Sequence, residues 1–281
     1  MAITNFIPTV WSENLYKQLN KKYVGVANCN REWEGDIKKR GDRVRICGVG
    51  PVSVFNYTKN TDLPDPAVIS DTARDLVINQ AKAFNFQIDD IDIAQSRPSL
   101  MDEAIRQAAD ALANEADKYI YGLQLNVEEA NNITVTDLNE DNIFSTILDA
   151  IVQLQVKGVT DDLILEVSPQ IAAILLKAKL NLVTDNKSAF ENGYIGSIAG
   201  CKVFVSSNIQ NRVEGSLFFS QCFLRTKRAI AFAEQLSEIE AYRPELRFAD
   251  AIKGLHLYGA KIVYPDELLL LSLQYYDESQ I

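Results

Sequence analysis

The spacing of apolar and polar residues changes several times along the chain, and each change marks an element. Phe84, Phe86 and Ile88 alternate with Asn85, Gln87 and Asp89, the two-residue period of a half-buried strand within residues 82–92. The phase shifts at Asp89-Asp90, which predicts a bend or bulge. Over residues 99–125 the period becomes helical. Ile105, Ala108, Ala109, Leu112, Ala116, Tyr119, Ile120 and Leu123 share one face, with Glu103, Arg106, Asp110, Glu115 and Lys118 mainly off it. Ser99 suits the N-cap. Such a helix is about 40 Å long, and its alanine-rich stripe lets a sheet or helix approach closely.

Before it, Trp11, Leu15 and Leu19 recur every four residues, a short helix in an otherwise extended opening segment. Arg43-Val44-Arg45-Ile46 alternates as a strand, Gly48, Gly50 and Pro51 make a turn, and Val52 to Tyr57 resumes extended structure before a polar loop with Pro64 and Pro66. Residues 36–80 thus predict a long β-hairpin with few core residues. An isolated hairpin is marginal in water, so this one should lie on something. Residues 140–250 alternate helices and strands: a helix over 143–156, a strand over 161–167, a helix opened by Ser168-Pro169 and running to Lys179, a polar loop over 181–200, then strands near 202–206, 216–223 and 229–232. A charged, alternating stretch follows to Arg247. The apolar runs Leu255–Val263 and Leu268–Tyr275 are expected to complete the sheet that packs on the long helix. No long repeat or low-complexity linker divides the chain, which reads as one interwoven α+β unit.

Composition narrows the chemistry. The 281 residues are 47% hydrophobic and 23% charged, an ordinary globular balance that excludes disordered and disulfide-scaffold classes. The net charge of −10 argues against a dedicated nucleic-acid binder, which needs clustered Lys and Arg, but not against a protein that encloses nucleic acid. The start, MAITNFIPTVW, lacks a basic leader followed by an apolar stretch. Cys29, Cys47, Cys201 and Cys222 form no CxxC pair and read as reduced cytosolic thiols. The single His256 rules out HExxH and multi-histidine metal sites within the chain, and its apolar, strand-like setting reads as structural. There is no GxSxG elbow, dinucleotide fingerprint or phosphate loop. Asp89, Asp90 and Asp92 are hard-cation ligands by type. They lack the alternate ligand positions and closing Glu of a calcium loop, so a solvated strand end or a subunit contact is the other reading. Lys38, Lys39, Arg40, Arg43 and Arg45 with Asp42 make a basic base to the hairpin, either a solvated face or a dock for an acidic neighbour. Trp33, between Glu32 and Glu34, is a tucked core residue or a docking anchor.

Several stretches resemble tailed-bacteriophage major capsid (coat) proteins of the Hong Kong ninety-seven phage capsid fold: GDRVRICGVGPVSV (41–54), QAKAFNFQIDDIDIAQS (80–96), QAADALANEADKYI (107–120), SPQIAAILLKAK (168–179), IGSIAGCKVFVSSNI (195–209) and FADAIKGLHLYGAKIVYPDELLLLSL (248–273). Their order and spacing carry the resemblance. It implies an N-arm over 1–35, an extended loop over 36–80, a peripheral domain over 81–135 and 251–281 with the long spine helix, and an axial domain over 136–250. It implies a structural subunit, not an enzyme and without cofactor or metal. That subunit self-assembles into hexamers and pentamers of an icosahedral shell around double-stranded DNA, with a portal protein at one vertex and no membrane, formed in the host cytoplasm. Some members carry a helical assembly domain ahead of the arm. This chain begins almost at the arm, so a separate scaffolding protein is expected. Candidate subunit contacts are Trp11, Trp33, Lys38, Lys39, Arg40, Arg43, Arg45, Phe55, Tyr57, Asp89, Asp90 and Asp92. Two other functions remain open: an encapsulin-like nanocompartment shell, and a metal-dependent enzyme built on the three aspartates.

Overall fold

Why the sequence splits into layers is clearest at its most apolar strand, Leu268–Tyr275, in which every side chain is buried. A run without polar alternation belongs in a sheet covered on both faces. In the computed structural model, which describes residue 15 and residues 17–33, 41–49, 56, 59, 71–89, 100–160, 162–178, 193–215 and 217–275, this strand lies inside the largest sheet. The strands are β1 (Arg43–Val49), β2 (Asp71–Val77), β3 (Gln80–Asp89), β4 (Asn132–Val135), β5 (Ile164–Val167), β6 (Tyr194–Ile198), β7 (Cys201–Val205), β8 (Asn211–Glu214), β9 (Leu217–Arg225), β10 (Ile230–Tyr242), β11 (Ala249–Ile262) and β12 (Leu268–Tyr275). The helices are α1 (Leu100–Gly122), α2 (Ile143–Val156) and α3 (Pro169–Lys177), after a short helical segment over residues 17–22.

Three sheets result. The seven-stranded sheet has the order β4-β12-β9-β5-β7-β6, with β8 also on β9. Strand β9 is long enough to give one edge to two partners: β8 pairs with its residues 217–220 and β5 with its residues 223–225. Leu269, Leu271 and Leu273 of β12 face α2 and α3, together with Leu165, Val167, Cys222 and Leu224. Leu268 and Leu270 face the other way, toward α1, together with Phe223. Helix α1 therefore has a sheet on either side. Leu112, Ala116 and Ile120 share a core with Phe223 of the large sheet and with Phe232, Tyr258 and Ile262 of the three-stranded sheet β10-β11-β3. Burial on two sides explains why Ala113, Asp117 and Tyr121 are buried as well as the predicted stripe. The α-helix stops at Gly122 and continues as a 3-10 turn over Leu123–Asn126, so at about 35 Å it is shorter than expected.

Two expectations need correction. Strands β11 and β12 do not complete one sheet on the helix. The turn at Pro265–Glu267 sends β11 into the three-stranded sheet and β12 into the seven-stranded one, where each face of its leucine run finds a separate core. The loop expected over 181–200 contains β6, whose short run Tyr194–Ile198 turns at Ala199-Gly200, both at positive φ, to pair with β7. Residues 181–192 of that loop, the predicted N-cap Ser99 and the bend at Asp90 lie outside the described residues. No helix among the described residues is long and apolar enough to cross a membrane.

Candidate functional site

Residues 17–33 cross the junction of α1, β9 and β10, where buried charge holds them. Arg225 and Glu166 are both fully buried and joined twice, Nε to Oε2 and Nη2 to Oε1, each at 3.0 Å. The remaining guanidinium donors reach into the arm: Nη1 to the Asn28 carbonyl at 2.5 Å and Nη2 to the Gly25 carbonyl at 3.1 Å. Asn28 returns a hydrogen bond from Nδ2 to Glu166 at 3.0 Å. The ion pair is thus satisfied only with the arm in place. Burial works against the charge on Arg225, but Glu166 outweighs it and holds the guanidinium pKa above its usual range.

Asp117 of α1 faces the same segment. Its two carboxylate oxygens accept from the backbone N–H groups of Val26 and Val24, each at 3.0 Å. Burial outweighs these donors and pushes its pKa up to about 7. Glu234 of β10 anchors the next stretch. The Tyr23 hydroxyl donates to it, Arg31 Nη2 lies at 2.5 Å and His256 Nε2 at 2.8 Å. Burial and then Glu234 keep the Tyr23 phenol far above its usual pKa, so it remains a donor. Asn30 extends the contact as a parallel bridge to Ala231, with its N–H on the Ile230 carbonyl and its own carbonyl receiving the Phe232 N–H, both at 2.9 Å.

The hairpin is seated differently. Strands β1 and β2 pair antiparallel as a separate two-stranded sheet, Arg43 opposite Val77 and Ile46 opposite Arg74. Its base closes through Gly41 N–H to the Ile78 carbonyl at 2.8 Å, with Gly41 at φ +95°. Far from lacking core residues, it buries Val44, Ile46, Leu76 and Ile78 against Ala231, Ala233, Leu257 and Val263. At Gly259 a Cβ atom would stand 2.3 Å from the Val77 carbonyl oxygen, so only glycine allows this approach. Arg43 and Arg45 line the exposed face of β1, and Arg43 lies 3.9 Å from Asp75.

Of the sequence-derived contact residues, Trp33, Arg43, Arg45 and Asp89 are described. Trp33 packs against the hairpin core, and Asp89 is exposed at the end of β3, in register with Ala249. Trp11, Lys38, Lys39, Arg40, Phe55, Tyr57, Asp90 and Asp92 lie outside the described residues. Arg43 and Asp89 are kept apart. Arg43 pairs with Val77, beside the start of β3, and Asp89 is the last of its ten residues, roughly 30 Å away. Among the described residues no group of three or more His, Cys, Asp or Glu is placed to hold a metal ion. His256 is completely buried, so its pairing with Glu234 orients the arm rather than facing a substrate. Burial pushes the thiols of Cys29 and Cys201 up to about 12 and that of Cys222 to about 11, which leaves them unreactive at neutral pH. Sequence reasoning missed Arg225, Glu166, Asp117 and Glu234. For Arg225, Glu166 and Glu234 the local signal was a charged residue beside apolar strand neighbours; Asp117, on α1, gave none.

The molecule thus places a helix between two sheets, with a pinned N-terminal segment and a hairpin laid on the smaller sheet. The phage capsid protein family matches residues 74–270, and the chain belongs to it. A chain of Mycobacterium phage Che8 is 27% identical, covering 89% of this chain and 90% of that one at a TM-score of 0.65. The capsid of Ralstonia phage GP4 is similar in fold at a TM-score of 0.72, with 11% identity over 92% of this chain and 91% of that one. The SrpI encapsulin complex of Synechococcus elongatus is also similar in fold, at a TM-score of 0.58 with 12% identity over 84% and 83%. No curated protein matches the chain. The protein is a structural subunit of a phage capsid shell.

Proposed function

We propose that the chain tiles an icosahedral shell of hexamers and pentamers around double-stranded DNA. On this reading residues 1–35 act as the N-arm, 36–80 as the extended loop, 81–135 and 251–281 as the peripheral domain and 136–250 as the axial domain. A separate scaffolding protein and a portal protein assist assembly in the host cytoplasm. The observation that carries this reading is the hairpin. It has an apolar face seated on its own subunit and a face with Arg43 and Arg45 turned outward. That basic outward face can dock on the acidic surface of a second copy of a chain whose net charge is −10, the head-to-tail arrangement that closes rings. Trp33, wedged under the hairpin, couples arm and loop. Many such contacts, each weak, add up over a lattice.

Light scattering and negative-stain microscopy of the purified chain, alone and co-expressed with a neighbouring scaffold-like gene, test this. Uniform shells containing DNA from infected cells support it. Shells loaded with an enzyme instead would favour the encapsulin reading, and a chain that stays monomeric under both conditions would overturn both.

A further inference from the structure

We propose that the outward face of α2 is a subunit contact, covered in the assembled particle by a second copy of this chain; this rests on the shell reading above. The inward face of α2 is spent on its own core, with Ile143, Ile147, Ala150, Ile151 and Leu154 all buried. The exposed side carries Ser145, Asp149, Gln153 and Gln155, but an apolar row runs through it. Phe144, Leu148, Val152 and Val156 follow one another at intervals of four and remain 39%, 37%, 45% and 82% exposed. An apolar row of this kind gains by being covered. Single exposed apolar residues are ordinary, but these four form one row along the whole helix, about 18 Å long. Residues at i and i+4 make a continuous ridge, the shape that packs into a groove of a facing element.

The chemistry of this face selects its occupant. Residues 143–156 contain one charged side chain, Asp149, and no Lys or Arg. A nucleic acid needs cations here, and a membrane-surface helix carries them on its polar flank. Two copies of a chain with net charge −10 repel each other, and their approach costs least where the surface is nearly neutral. The row presents on the order of 300 Å² of apolar surface. That is well short of the ~800 Å² per partner in a stable pair. The contact therefore closes only when other contacts of the lattice hold the copies together.

The test compares wild-type chain with L148K/V156K, both full length and under conditions where the wild type forms shells. The expected result is an unchanged circular dichroism spectrum and a melting temperature within about 3 °C, since both sites are exposed, with the assembly threshold raised at least about tenfold or shells lost. Assembly at the wild-type threshold overturns the proposal. A second readout does not depend on the charges: a photoreactive benzoylphenylalanine at Val152, irradiated in assembled particles. Peptide mapping should find it joined to a second copy. Attachment within its own chain, to another polypeptide or to DNA overturns the proposal. A wild-type chain that never assembles removes the shell reading and this contact together, whereas wild-type shells with an indifferent variant remove only the contact.

Discussion

The arm and the hairpin are both laid on the same strand, β10, yet they are held by opposite means. The arm is fixed by directed bonds to Arg225, Asp117 and Glu234, buried groups whose hydrogen bonding it completes. The hairpin rests on methyl and methylene surface, with Val44, Ile46, Leu76 and Ile78 over Ala231, Ala233, Leu257 and Val263. Directed bonds specify one position and fail together when a partner is removed. Apolar contact has no preferred direction and tolerates small displacements. On the proposed reading, in which the subunit occupies rings of different size, the first arrangement suits a part that defines the subunit, and the second suits a part that adapts to its neighbour.

The largest expected effect breaks the arm side of this comparison. Arg225→Met removes one partner of a fully buried pair and strands Glu166, and it should cost about 3–5 kcal/mol. Chemical denaturation measures the loss, and limited proteolysis should cut within residues 17–33 before the core. A loss below about 1 kcal/mol would mean that the arm is not held by charge. On the hairpin side, Ile46→Ala empties part of an apolar seat. The expected cost is about 2–3 kcal/mol. Hydrogen exchange should show it confined to β1 and β2, with the protection of β9 and β12 unchanged. Equal loosening of β9 would show that the hairpin is no separate unit.

A third test sharpens the comparison through pH. Burial raises the folded-state pKa of Asp117 to about 7, above its unfolded value, so the folded state binds the proton more tightly. The contribution of this group to stability is present in full below pH 4 and is lost as pH rises through 7. The slope for one proton is at most about 1.4 kcal/mol per pH unit. Asp117→Asn should flatten stability between pH 4.5 and 7 in denaturant titrations, and an unchanged slope would assign the dependence elsewhere.

Local patterns made much of this fold legible. The alternation in β3, the stripe of α1, the Ser168-Pro169 start of α3 and the leucine run of β12 all appear where their spacing placed them. In each case the pattern is read within one element, because burial of one face imposes a period of two or 3.6 residues. Strands β4 and β8 left no comparable trace. Each is four residues long, and β8 is exposed throughout, so burial imposes no pattern on it. Residues that bind across the chain were equally silent. Arg225 meets Glu166 from 59 positions away and the Gly25 carbonyl from 200. The apolar neighbours of Arg225 mark it as buried but name no partner.

By itself the amino-acid sequence determined the type and order of the strongly patterned elements, the acidic charge balance and the family, because these depend on side-chain periods and composition along contiguous stretches. Only the tertiary structure decided that β11 and β12 part into different sheets, that the arm is locked by buried ions, and that α2 turns an apolar row outward. Those outcomes depend on which distant surfaces meet. A charge is stabilised, or an apolar row left uncovered, only by what the rest of the chain places against it.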